Sequence, residues 1–366
     1  MAETATADRS VQRIDRARRL LESAGVGALV VSRPENVRYL CGFTGSSSAL
    51  LVAESEAVLV TDSRYAEQSA SEAPAVKVHV ASGPPAIVAA GLTAARRRGF
   101  EAEALTYDAW ERIAAGCDTA GAVLVPCRGL IEGLRAIKGE EELPLIERAI
   151  AIAADALDAV LPLAVAGAVE RDLALELEIR MKQEGAEEVA FPLIVASGPR
   201  SALPHGRASG KRLAAGEFVV FDIGARHEGY HSDMTRTVFT GAAAGEQRRL
   251  YETVREAQLA GIEAIAPGVR AADVDRAARA VIESAGFGER FGHGTGHGVG
   301  LEVHEAPRVG PRSEDLLQAG MVVTVEPGIY LPGEAGVRIE DMVLVTPEGH
   351  RVLTPRSAHG WSVAAG

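Results

Sequence analysis

Four carboxylates and one imidazole stand where charge should not be: Asp222 in FVVFDIG, Asp233 in HSDMTRTVF, Glu326 in MVVTVEPGIY, Glu340 in GVRIEDMVLV, and His297 in a glycine-rich run. A buried carboxylate loses hydration, so four of them converging require a strongly positive centre between them. Two divalent cations would supply it, which makes a dinuclear metal site the leading expectation. Spacing favours convergence. Asp222 and Asp233 are eleven residues apart, with their midpoint between His227 and Glu228, beside Gly229. A hairpin turning there sets the aspartates directly across from one another, with facing Cβ atoms roughly 5 Å apart. Glu326 and Glu340 are fourteen apart, centred on Gly333 in LPGEAG, and a second hairpin turning at Pro332-Gly333 makes them face each other. The repeated acid-bearing hairpin hints at two related halves.

Six of the nine histidines lie between 205 and 304. The segment FGHGTGHGVGLEVHEAP holds His293, His297 and His304 among glycines that let backbone and side chains approach a ligand closely. It lacks the GxGxxG spacing of dinucleotide sites and the GK(S/T) phosphate loop, so metal or substrate contact is the better reading. His227-Glu228-Gly229-Tyr230-His231 matches HExxH, but that zinc chemistry needs a helix to bring both imidazoles together. Its flanks here are β-type, and imidazoles four residues apart on a strand are separated by roughly 13 Å. His205, after a proline in ALPHGRAS, reads from its neighbours as a surface residue. Arg338 lies two before Glu340, on the same strand face, and could neutralise the acids or contact substrate. Tyr330 is either core packing or a phenol aimed at the site.

These residues need a scaffold. An apolar stripe over Val11, Ile14, Ala17, Leu20 and Leu21 predicts a helix ending at Gly25, and ALVVS, ALLVA, AVLVTD and AVLVP read as strands. Residues 1–133 are therefore expected to form an α/β domain. Residues 134–366 read as an α+β domain built around antiparallel hairpins. Its helices are expected from Glu140 to Leu161, Glu170 to Gln183, Gly245 to Ile265 and Ala271 to Ser284.

Bulk properties narrow the field. The chain has 366 residues, 47% of them apolar, enough for two cores. A net charge of −12 disfavours nucleic acid and anionic membrane as partners. The longest apolar stretch is about half a membrane span, and MAETATADRSVQR lacks the apolar core of a secretion signal. Three scattered cysteines, Cys41, Cys117 and Cys127, fit free thiols in a reducing cytoplasm.

FDIGA, HSDMTRT, GHGVGLEVHE, VEPGIY and VRIED, in this order and spacing, resemble the Xaa-Pro peptidases, aminopeptidase P and prolidase, of the pita-bread metallopeptidase superfamily. IVASGPRSALPHGRAS around His205, RYLCGFTGS (38–46), DSRY (62–65) and RAIKGEEEL (135–143) extend the resemblance over nearly the whole chain. It implies a creatinase/prolidase-type N-terminal domain followed by a pita-bread catalytic domain. It also implies that Asp222, Asp233, His297, Glu326 and Glu340 bind two divalent metals. Asp233 and Glu340 would bridge, Asp222 would complete one site, and His297 with Glu326 the other. Manganese is the foremost expectation, with cobalt, iron or zinc as alternatives; oxygen-rich donors with one imidazole suit the first three.

By the same resemblance, Glu326 shuttles the proton, and His205 and His304 bind substrate and transition state. Arg338 matches the active-site arginine, and Tyr330 is counted among the substrate contacts. The expected reaction is hydrolysis of the bond between an N-terminal residue and proline, on peptides or dipeptides, by a cytoplasmic homodimer. Two other readings stay open: a pita-bread hydrolase of relaxed aminopeptidase specificity, and a catalytically silent pita-bread binding protein.

Overall fold

Short aliphatic runs in the first third of the chain form β1 (Ala28–Val31), β2 (Ser48–Ala53), β3 (Ala57–Thr61), β4 (Lys77–Val80), β5 (Arg97–Glu101) and β6 (Val123–Cys127). The computed structural model describes residues 2–355 and 362–363. In it these strands make one mixed sheet in the order β4-β3-β2-β1-β5-β6. The apolar runs read from sequence account for four of them. β4 and β5 escape that reading, because KVHV is largely exposed and RRGFE opens on two arginines. Alanines 28, 49, 89, 90 and 122 join Val30, Leu51, Val60 and Ile113 in a closely packed core under the sheet.

Backbone contacts divide the chain into two compact units, Met1–Arg135 and Ala136–Gly366. The second carries β7 (Glu188–Val189), β8 (Ile194–Ser197), β9 (Phe218–Ile223), β10 (Ala225–His227), β11 (Tyr230–His231) and β12 (Met234–Thr240). There follow β13 (Gly296–Gly298), β14 (Glu305–Val309), β15 (Val322–Val325), β16 (Gly328–Leu331), β17 (Ala335–Arg338), β18 (Asp341–Thr346), β19 (Gly349–Val352) and β20 (Ser362–Val363). Two sheets matter for the site: β20-β12-β9-β8 and β14-β13-β15-β18-β19. Helices Glu170–Gln183 and Ala271–Ser284 span the residues their periodicity predicts. The helix expected from Glu140 starts instead at Leu143, with Pro144 in its first turn, where a fixed φ and a missing N–H are tolerated. Likewise, the helix expected from Gly245 to Ile265 runs Glu246–Glu263.

Leu143–Val160 and Glu170–Gln183 bury Ile152, Leu157, Leu173 and Leu177 against Val195, Val219, Phe221 and Val238 of the first sheet. Glu246–Glu263 and Ala271–Ser284 close over the other flank, with Val254, Ala257 and Ile282 packing on Phe218, Phe239, Ile329 and Val337. Burying a side chain of this size is worth about 1.5–3 kcal/mol, so the helices hold the sheets together at fixed spacing.

One hairpin differs from its expected register. β9 pairs with β12 so that Asp222 lies opposite Thr235, and Asp233 is therefore displaced by two positions rather than facing Asp222. The cause is the turn. His227 pairs with Tyr230, leaving Glu228 and Gly229 at φ 44° and 75°. Both residues sit in the left-handed region that a type I′ turn demands. The turn is thus centred between Glu228 and Gly229, one residue past the expected midpoint, which displaces each pairing by two positions. Because the displacement between the two aspartates is two, they still share a face.

The second hairpin follows expectation. Gly328 pairs with Arg338 and Leu331 with Ala335 around Gly333, while Val325 pairs with Asp341 in the continuing ladder. The same register on both sides sets Glu326 against Glu340.

Candidate metal centre

The acids come together where the two sheets meet. Glu340 N–H donates to the Thr235 carbonyl at 3.1 Å, and the Thr237 hydroxyl donates to the Arg338 carbonyl at 2.7 Å. β12 thereby lies along the end of the Glu326–Glu340 hairpin. Its alternation turns Asp233 inward from one sheet, and the hairpin turns Glu326 and Glu340 inward from the other. His297 reaches the same point from β13, whose neighbour β15 leads directly into Glu326.

Donor atoms of Asp233, His297 and Glu340 all lie within 4.8 Å of one another. His297 Nε2 is 3.6 Å from Asp233 Oδ2 and 3.5 Å from Glu326 Oε1. His297 Nδ1 is 3.0 Å from the Gly298 carbonyl. That contact assigns the ring proton to Nδ1 and leaves the Nε2 lone pair aimed at the acids, as a metal-ligating imidazole requires. Burial, and then neighbouring His304, lower the His297 pKa to about 4, so the ring meets the acids as a neutral ligand. Its centroid lies 4.3 Å from that of His304.

All four carboxyls hold their protons more tightly than usual. Burial raises Asp233 well above its ordinary value, and the charges of Glu340, Asp222 and Glu326 raise it further. Glu326 is raised well above normal by burial and then Glu340. Glu340 is pushed up to about 8 by burial and then Asp222. Asp222 is raised by burial, which outweighs the opposing pull of Arg338. One guanidinium cannot balance four acids in this space. Oxygen donors around a single imidazole, with a surplus of negative charge, fit a hard-to-borderline divalent cation.

Arg338 does not face open solvent. Its Nη2 donates to Asp222 Oδ2 at 2.6 Å, its Nε to Thr235 Oγ1 at 3.1 Å, and its Nη1 to the Pro204 carbonyl and the Tyr330 hydroxyl, each at 3.0 Å. Tyr330 is buried, and its hydroxyl lies 2.9 Å from His293 Nε2. Between the two readings of Arg338, these contacts fit neutralisation of Asp222. His205 is exposed in its loop, yet its charge registers at Asp222, His293 and His304. His304 is exposed beside His297. The HExxH histidines point elsewhere: His227 Nδ1 lies 3.2 Å from the Gly185 carbonyl and His231 Nδ1 3.3 Å from that of Gly300.

Some contributors carry no local signal. Thr235 donates to Glu340 Oε2 at 2.7 Å while accepting from Arg338, so it links the two charge systems. Asp275, on the Ala271–Ser284 helix, accepts from the Thr295 amide and hydroxyl at 3.1 and 2.8 Å and from both Nε and Nη2 of Arg279. Arg279 also donates to the Phe291 and His293 carbonyls. This pair braces the glycine-rich segment two residues before His297. A polar residue in an amphipathic helix could have suggested it only with its partner in view.

Residues 144–347 match metallopeptidase family M24, and residues 13–137 match the creatinase/prolidase N-terminal domain. The chain is 39% identical over 345 residues to an uncharacterized peptidase, YqhT, of Bacillus subtilis, covering 93% of this chain and 97% of that one. It is 47% identical over 225 residues to an Xaa-Pro dipeptidase of Pyrococcus horikoshii, covering 62% of this chain and 64% of that one. Among solved structures, an Xaa-Pro dipeptidase from Bacillus anthracis superposes with a TM-score of 0.93 at 38% identity, covering 97% of this chain and all of that one.

Proposed function

Since the chain belongs to metallopeptidase family M24, we propose that this peptidase cleaves the bond between an N-terminal residue and proline. The observation that carries the proposal is the convergence of Asp233, His297 and Glu340 within 4.8 Å, with Glu326 3.5 Å from the same imidazole. The likeness to Xaa-Pro dipeptidases supports the proline specificity.

In this reading Asp222, Asp233, His297, Glu326 and Glu340 hold two divalent cations, foremost manganese. When bound, these supply a water of lowered pKa and polarise the scissile carbonyl. Glu326 accepts the proton of the attacking water and returns it to the departing prolyl nitrogen. His205 and His304, on the exposed side, donate to the carbonyl oxygen as it becomes an oxyanion. Arg338 favours the ionised form of Asp222 and holds it in place, and Tyr330 with His293 fixes the guanidinium from behind.

No helix among the described residues is long and apolar enough to cross a membrane. Cys41, Cys117 and Cys127 are buried and free, which supports a reducing, cytoplasmic setting. A homodimer is part of the same proposal, to be checked by sedimentation.

The test is turnover of Ala-Pro, Ala-Pro-Ala and Ala-Ala by protein loaded with manganese or cobalt. Cleavage of the proline substrates with Ala-Ala left intact is expected. Equal cleavage of Ala-Ala would establish the relaxed aminopeptidase instead. A protein that binds neither metal at saturation would be the silent binding protein.

A further inference from the structure

Glu170 lies well outside the acid cluster, at the start of the Glu170–Gln183 helix, and its side chain is fully enclosed. A buried carboxylate needs a reason. Here it accepts five hydrogen bonds from one segment. Oε1 takes the Ser197 amide and hydroxyl, both at 2.8 Å. Oε2 takes Arg200 Nε at 3.0 Å, the Ser209 amide at 3.1 Å and the Ser209 hydroxyl at 2.6 Å. Ser197 and Ser209 stand on either side of His205 in sequence. One carboxylate thus clips together both ends of the segment that carries it.

The inner side of the segment is tied to the hairpin of the metal centre. Gly336 N–H donates to Ser201 Oγ at 2.7 Å, and Arg338 Nη1 donates to the Pro204 carbonyl at 3.0 Å. A Cβ at Gly336 would meet the Ser201 carbonyl oxygen at 2.2 Å, so the backbones are as close as glycine allows. Arg200 Nη2, held by the same guanidinium that Glu170 grips, reaches the Arg207 carbonyl at 2.5 Å. His205 itself is exposed, and among the described residues its side chain has no hydrogen bond or ion pair. Its position is set by Pro204 on one side and by the clipped ends on the other.

We propose that Glu170 is a positioning residue for His205, holding the loop of residues 198–208 closed so that the imidazole faces the metal centre. The proposal rests on the role assigned to His205 above. A segment of this length is costly to order by itself, and a single charged acceptor concentrates the ordering in one place. The five donors also explain how Glu170 stays ionised: burial raises its pKa, but its bonds to Ser209, Ser197 and Arg200 lower it below the ordinary value.

The experiment compares Glu170→Gln, Ser209→Ala, His205→Ala and the double variant Glu170→Gln/His205→Ala, each loaded with manganese and assayed on Ala-Pro. Glu170→Gln should lower kcat roughly 10- to 100-fold, as loss of support behind a functional group does. Ser209→Ala, the milder change, should lower it less. Manganese content should match that of the unaltered protein. In the His205→Ala background, Glu170→Gln should lower kcat no further.

Without metal or substrate, trypsin should cut Glu170→Gln after Arg200 or Arg207 faster than the unaltered chain. Additive losses in the double variant, or unchanged cutting, would overturn the positioning role. Absence of Ala-Pro turnover in the unaltered protein would instead refute the proposed function, while the trypsin comparison still decides the loop.

Discussion

Asp222 and Arg338 meet at 2.6 Å between Oδ2 and Nη2, with side chains only 14% and 5% exposed. They belong to different sheet systems, so this ion pair joins the two halves of the acid cluster. Removing the cation would leave Asp222 buried beside three other carboxyls. Arg338→Met should therefore destabilise the metal-free protein by about 3–5 kcal/mol. Bound divalent cations should restore much of that loss. Urea denaturation with and without manganese measures both; an equal loss in the two conditions would show that Arg338 does not serve as the charge partner.

Glu340 and Glu326 should separate metal binding from proton transfer. Glu340→Ala removes an acid that faces Asp233 and His297, so about one metal per chain and all turnover should be lost. Glu326→Gln keeps an oxygen donor but cannot carry the proton. It should retain metal while kcat falls roughly 10²- to 10⁴-fold. Elemental analysis beside steady-state kinetics distinguishes the pair. Full metal and full turnover in Glu340→Ala would end the assignment.

Stability of the metal-free protein should fall as pH rises. Glu340 has its pKa raised by burial, then Asp222, from 4.5 to about 8. Such a group binds its proton more tightly folded than unfolded. Its destabilising effect is absent below about pH 4.5, grows between there and pH 8, and is complete above. Asp222, Asp233 and Glu326 shift in the same direction. Manganese should consequently raise Tm more at pH 8 than at pH 5. An equal rise at both values would mean that the acids do not share one low-polarity site.

Asp275→Ala should weaken metal binding from a distance. It strands the Thr295 amide and leaves Arg279 without its paired acid, at a cost of about 3 kcal/mol. The loosened segment carries His297 two residues on, and His297 N–H also donates to Thr324 Oγ1 at 3.1 Å. Manganese affinity should fall while the saturated enzyme keeps most of its kcat. Isothermal titration gives the first quantity; unchanged affinity would limit Asp275 to a role in folding alone.

Much of the scaffold was legible because the signals are local. The Glu170–Gln183 and Ala271–Ser284 helices follow from apolar periodicity, and the Glu326–Glu340 hairpin follows from a turn centred on Gly333. The first hairpin was half legible. Its turn existed as expected, but Glu228 adopts a left-handed φ of 44° that residue type does not announce. Asp222 consequently pairs with Thr235, and Asp233 takes the diagonal place. Thr235, Asp275 and Glu170 were missed for another reason: each is an ordinary polar residue until its partner arrives from 20 to more than 100 positions away.

The sequence by itself marked out which groups are candidates to bind metal, because carboxylates in apolar strands are costly without a shared cation. Hydropathy and turn chemistry also determined which strands carry them. Only tertiary structure decided how the charges are shared. Arg338 is committed to Asp222 and enclosed, His297 presents Nε2 to Asp233 and Glu326, and His205 is placed by a carboxylate that lies elsewhere. Those outcomes depend on distances between segments remote along the chain, and electrostatic energy depends on distance rather than on sequence order.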